Sequence, residues 1–256
     1  MPRYALLLEY DGTGFVGWQV QGFGLSLQGV LEQAAARLAG GAKVASIVAG
    51  RTDAGVHAEG QVAQIDLPTE YAADRLRDAL NFHLKPHRLV VLRAAPAAAG
   101  WNARFSAIGR AYRYRILNRR PRPALLEGRV WHVERRLDEA AMAAAAASLL
   151  GRHDFSSFRA SACQANSPLR TLDRLEVIRA GEVVDIVAEA RSFLHHQVRN
   201  MAGTLKLVGE GNWPVERVAA ALAARDRSAA GPTEPPQGLT LTGVRYPEDP
   251  FNLPSR

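Results

Sequence analysis

The chain has 256 residues, 47% of them hydrophobic and 22% charged, enough to enclose a sizeable core and unlike a disordered, collagen-like or coiled-coil protein. A single cysteine, Cys163, excludes an intrachain disulfide and a cysteine-rich zinc cage. Lysine and arginine number 32 against 25 acidic residues, for a formal net charge of +7, and only Lys43, Lys85 and Lys206 are lysines. Such an arginine excess reflects either a compositional bias that raises Arg and Ala together or a nucleic-acid binder that uses guanidinium groups for stacking and phosphate contacts. Where the arginines fall decides between them. Glu9 and Asp11 interrupt the first apolar run, which argues against a signal peptide, and the uncharged stretch from Ala140 to Gly151 is too short to cross a bilayer. A soluble, cytoplasmic protein is expected.

In chain order, Arg3–Tyr10 reads as an apolar strand that stops at the turn signal Asp11-Gly12. The glycines that follow, Gly12, Gly14 and Gly17, match G-x-G-x-x-G, but the chain continues Trp18-Gln19-Val20-Gln21-Gly22. No helix opens there, so a dinucleotide-binding turn is not expected. Ser26 caps a helix to about Ala39, with Val30, Leu31, Ala34 and Leu38 at helical spacing. Strands are predicted over 43–49 and 61–67, a helix over 70–83 and a strand over 88–94. The order is βαββαβ.

The second half repeats it. A strand over 110–117 precedes an alanine-rich helix from Asp138 to Leu150, and strands over 171–179 and 183–190 form a hairpin about Gly181. Ser192 caps a helix through Val208, a further helix begins at Pro214, and Leu239–Tyr246 is the closing strand. The expectation is an α+β protein of two tandem βαββαβ (ferredoxin-like) halves, 1–105 and 106–256, sharing one extended mixed or antiparallel sheet, with a cleft where they meet.

Two segments carry candidate chemistry. The run Ala49-Gly50-Arg51-Thr52-Asp53-Ala54-Gly55-Val56-His57-Ala58 is longer and more varied than a hairpin turn needs. Thr52, Asp53 and Gly55 suit a tight turn with a positive φ at the glycine, and such a turn presents the Arg51 guanidinium and the Asp53 carboxylate together. On residues alone, a structural turn and a nucleophilic site both fit. The second segment, Trp101 to Pro123, holds Arg104, Arg110, Arg113, Arg115, Arg119, Arg120 and Arg122 with Phe105, Tyr112 and Tyr114 between them. Strand alternation sets Tyr112, Tyr114 and Ile116 on one face and Arg113 and Arg115 on the other. That pattern suits rings stacking on bases with guanidinium groups on phosphates, and equally a half-buried strand with a charged outer face. The adjacent His195 and His196 point to different faces of a helix, and Pro86 separates His83 from His87, so no metal site is expected.

Taken together, EYDGTGFVGWQVQ, SLQGVLEQA, AGRTDAGVHA, ARFSAIGRAYRYRI, GRHDFSSFRA, FLHHQVRNMAGTL and GLTLTGVRYP resemble, in this order and over nearly the whole chain, the tRNA pseudouridine synthase A family. The resemblance implies the pseudouridine synthase fold, with a catalytic first half and a substrate-binding second half. It implies isomerisation of uridine to pseudouridine at positions 38, 39 and 40 of the tRNA anticodon stem-loop, without a cofactor or metal. It further implies a homodimer acting on tRNA and no membrane. Matched motif to motif, Asp53 is the catalytic carboxylate, attacking either uracil C6 or ribose C1′. Arg51 fills the space left by the flipped nucleotide. Tyr112 stacks on the uracil and assists removal of the C5 proton, Arg199 pairs with the catalytic carboxylate, and Leu239 packs on the target ring. His57 braces the loop. The alternative is a non-catalytic tRNA-binding or folding module, against which a carboxylate facing phosphates argues.

Overall fold

A computed structural model of the chain describes residues 1–252. In chain order the elements are β1 (Arg3–Tyr10), α1 (Leu27–Leu38), β2 (Ser46–Val48), β3 (His57–Asp66), α2 (Ala73–Leu84), β4 (Leu89–Ala97), β5 (Gly109–Asn118), β6 (Trp131–Val133), α3 (Glu139–Ala147), β7 (Gly151–Asp154), β8 (Leu169–Ala180), β9 (Val183–Ala190), α4 (Gln197–Gly209), α5 (Glu216–Ala224) and β10 (Leu239–Arg245). They form two compact units, residues 1–110 with 241–252, and residues 111–240.

In the first unit the strands run β4-β1-β3-β10, with β2 paired to β3. β1 is antiparallel to both neighbours, Leu6 standing opposite Ala63 on one side and Ala94 on the other. A strand paired on both edges buries its apolar run, and Tyr4, Ala5, Leu6, Leu8 and Tyr10 are all buried. α1 starts where Ser26 turns extended and its side chain accepts the Gly29 N–H at 3.1 Å. Its buried residues, Leu27, Val30, Leu31, Ala34 and Ala35, recur at helical spacing and form one face. α2 likewise buries Leu76, Leu80 and Leu84. No helix opens at the glycines of 12–17, which run as turns and loop ahead of α1.

The second unit runs β5-β9-β8-β7, with β6 parallel to β5. β8 and β9 form the expected hairpin, tightly closed by Gly181 at φ 61°. Asp138 caps α3 by accepting the Ala141 N–H at 3.0 Å. α4 begins four residues later than Ser192 predicts. His196 adopts a left-handed backbone (φ 64°), and the Gln197 side chain reaches back to the Leu194 N–H at 2.9 Å, so the helix cannot extend earlier.

Three further departures from the expected elements bear on the site. β3 starts at His57 rather than Gln61, so the end of the AGRTDAGVHA motif is already strand and Ala58 stands opposite Tyr10. β6 and β7, of three and four residues, were not expected. Residues 241–245 of the closing strand lie with the first unit, beside β3.

Candidate active site

In the first unit the motif forms the loop between β2 and β3. The Val56 N–H donates to the Asp53 carbonyl at 3.2 Å, and Gly55 takes φ 78°, which closes the turn as expected. Asp53 is half-buried and Arg51 is exposed, so the loop carries both charged groups at or near its surface. Thr52 between them points inward and is 7% exposed. Its Oγ1 lies 2.8 Å from the Tyr10 hydroxyl, which in turn accepts from Gln61 Nε2 at 3.2 Å. Gln61 Nε2 also donates to the Gly50 carbonyl at 2.7 Å.

The loop is held on its other side by backbone. The Trp18 N–H donates to the Thr52 carbonyl at 3.0 Å. Gly17 lies so close that a Cβ there would stand 2.9 Å from that oxygen and 3.1 Å from the Ala54 nitrogen, and its φ of 104° also requires glycine. At the exit of the loop, His57 Nδ1 sits 3.1 Å from the Gly12 nitrogen and 3.1 Å from Asp11 Oδ1, so His57 does brace the loop. Burial alone would raise the Asp11 carboxyl. Hydrogen bonds from Thr13 and Arg88 and the neighbouring His57 outweigh it and hold the group below the usual carboxylate range.

In the second unit β5 alternates as predicted, with Tyr112, Tyr114 and Ile116 buried and Arg113 and Arg115 half-buried. The Phe193 ring meets Tyr112 edge-on at 5.2 Å between centroids. Arg199 lies in the first turn of α4, and its Nε donates to the Glu234 carbonyl at 2.7 Å. The Tyr114 hydroxyl donates to the next carbonyl, Pro235, at 2.9 Å. Gly238 packs against the Tyr114 ring, and Leu239, 6% exposed, follows it at the start of β10. The segment 234–239 thus ties Arg199, the β5 tyrosine face and Leu239 into one constellation. Glu234 is 8% exposed, and burial drives its carboxyl up to about 6, with Lys206 and Arg199 opposing and Glu210 reinforcing the shift.

The arginine-rich segment divides by role. Arg115 forms a forked pair with Asp185 at 2.8 and 2.7 Å, Arg119 pairs with Glu182 at 2.8 Å, and Arg110 donates to the Ala49 and Arg104 carbonyls at 2.7 and 2.8 Å. These three act in holding the fold, contrary to a uniform phosphate-binding role. Arg104, Arg120 and Arg122 are exposed, and the Arg104 guanidinium lies over the exposed Phe105 ring at 5.5 Å. Tyr10, Gln61, Phe193 and Glu234 had no signal in the sequence beyond residue type. An open cavity of about 630 Å³ bounded by Arg152, Leu169 and Arg225 contains none of the candidate site residues.

The family described as tRNA pseudouridine synthase matches residues 145–247. A protein of Acidiphilium cryptum (strain JF-5) named tRNA pseudouridine synthase A is 71% identical over 252 residues, covering 98% of this chain and 99% of its own length. Proteins of the same name from Gluconobacter oxydans (strain 621H) and Paramagnetospirillum magneticum (strain ATCC 700264 / AMB-1) are 58% identical over 254 residues and 61% identical over 246 residues. They cover 98% and 96% of this chain and 92% and 96% of their own lengths.

Proposed function

This chain belongs to the tRNA pseudouridine synthase A family, whose members isomerise uridine to pseudouridine in tRNA, and from that premise we propose that it acts at positions 38, 39 and 40 of the anticodon stem-loop with Asp53 as nucleophile. The N1–C1′ bond breaks, a C5–C1′ bond forms, the C5 proton is lost and N1 gains one. Atoms and electrons balance without a co-reactant. Asp53 attacks uracil C6 or ribose C1′. Arg51 occupies the place of the extruded base and offsets part of the few kcal/mol that flipping costs. Tyr112 stacks on the uracil and assists departure of the C5 proton, while Leu239 packs on the ring. Arg199 pairs with the Asp53 carboxylate and orients it.

The observation that carries this reading is the loop itself. Thr52 is fastened inward while Arg51 and Asp53, on either side of it, bear the charge. A turn that served only to connect two strands would not need its middle residue anchored to a buried tyrosine and its Gly50 carbonyl anchored to a buried glutamine. The same proposal includes two duplicated halves, 1–105 and 106–256, a homodimer and a cytoplasmic location. Among the described residues no helix is long and apolar enough to cross a membrane.

The test is tritium release from a [5-³H]uridine tRNA transcript, with carbodiimide mapping of the product. Wild type is expected to release tritium from positions 38–40 with no added cofactor. Asp53→Asn, which keeps size and removes the nucleophilic charge, is expected to bind tRNA and release none. A wild-type protein that binds tRNA without release would instead be a binding module.

A further inference from the structure

We infer that Tyr10, Gln61 and Thr52 are positioning residues that set the aim of Asp53; the inference rests on Asp53 being the nucleophile. Gln61 is fully buried and Tyr10 is 3% exposed, so the polar hydrogens of these two side chains need partners. The Gln61 amide has two hydrogens. One goes to the Gly50 carbonyl at 2.7 Å and the other to the Tyr10 oxygen at 3.2 Å. The tyrosine oxygen therefore already accepts. Between the two hydroxyls, the phenol is the more acidic donor and the more deeply buried, at 3% against 7% exposed for Thr52, which favours donation from Tyr10 to Thr52 Oγ1 over 2.8 Å, in the order Gln61 to Tyr10 to Thr52.

This order has a geometric result. Gln61 fixes the backbone one residue before Arg51, and Tyr10 fixes the side chain one residue before Asp53. The Trp18 N–H fixes the Thr52 carbonyl at 3.0 Å, so Thr52 is held by both its side chain and its carbonyl at the point where the chain turns toward Asp53. A reacting carboxylate misplaced by an ångström loses rate steeply, whereas tRNA affinity is spread over many distant contacts. The chain therefore governs turnover rather than binding. Burial pushes the Tyr10 hydroxyl up to about 12, with the bonds to Thr52 and Gln61 opposing, so it stays a donor throughout the neutral range.

The experiment measures single-turnover tritium release, KM for tRNA and melting temperature for wild type, Asp53→Asn, Thr52→Val, Thr52→Ser and Tyr10→Phe. Thr52→Val keeps the shape and deletes the acceptor, and Tyr10→Phe deletes the donor. Each is expected to slow release on the order of tenfold or more, with KM unchanged, at temperatures where both remain folded. Thr52→Ser, which restores the hydroxyl, is expected to recover most of the rate. A purely structural role would lower the melting temperature without this split and without the serine rescue. Release at the wild-type rate by both Thr52→Val and Tyr10→Phe, with Asp53→Asn inactive, would overturn the positioning role alone. Turnover by Asp53→Asn would remove the premise and the inference with it.

Discussion

Glu234 shows how one buried carboxyl makes stability depend on pH. Its folded-state value of about 6 lies above the 4.5 of an ordinary glutamate, so folding favours the protonated form. The contribution is present in full below about pH 4.5 and is lost as pH rises through about 6, a swing of up to about 2 kcal/mol. Glu234→Gln, neutral at every pH, is therefore expected to melt higher than wild type at pH 8 and to match it near pH 4 in calorimetry. The Arg199 bond is to the Glu234 main-chain carbonyl and survives the substitution. The same division between main-chain and side-chain roles separates the arginines. Arg115 is occupied by Asp185 and belongs to the sheet, whereas Arg120 stands exposed.

At the scale of elements, α4 is the frame of the second unit. Asn200 is completely buried; its Nδ2 donates to the Phe158 carbonyl at 2.8 Å, and its Oδ1 accepts from Thr233 Oγ1 at 2.6 Å and from Arg227 at 3.2 Å. One side chain thus fastens the helix to segment 227–233, next to the segment that carries Glu234 and Leu239. Asn200→Ala leaves those buried partners unsatisfied and is expected to cost about 2–4 kcal/mol in denaturant unfolding. Much of this architecture was legible before the structure. The apolar run of β1, the Ser26 cap and the glycine of the β8–β9 hairpin are local signals, and the elements they mark formed. β6 is too short to carry a period, and the start of α4 depends on a left-handed histidine that no local residue announces. The site divides the same way. Arg51 and Asp53 stood out because a glycine-closed turn presented them. The buried bond between Tyr10 and Gln61 joins residues 51 apart, and such a pairing exists only after β1 and β3 have met.

Across the whole molecule, a net charge of +7 makes tRNA affinity a function of salt. Binding measured from low to moderate salt is expected to weaken linearly on logarithmic axes. Replacing Arg120 or Arg122 by Gln should reduce the magnitude of that slope by roughly 0.7–0.9 for each phosphate contact removed. Arg115→Gln is the contrasting case: it breaks the forked bond to Asp185 and should lower stability while leaving the slope nearly unchanged.

The loop wedged between Gly17, Trp18 and Tyr10 also bears on how the enzyme spends the energy of RNA binding. Ordering a free segment costs about 1–2 kcal/mol per residue in lost backbone entropy. Here that cost is met once, when the chain folds, and is not charged again at each encounter with substrate. The affinity gained along the tRNA is left, on the proposed mechanism, for drawing a nucleotide out of its stack, the one rearrangement the protein cannot make in advance.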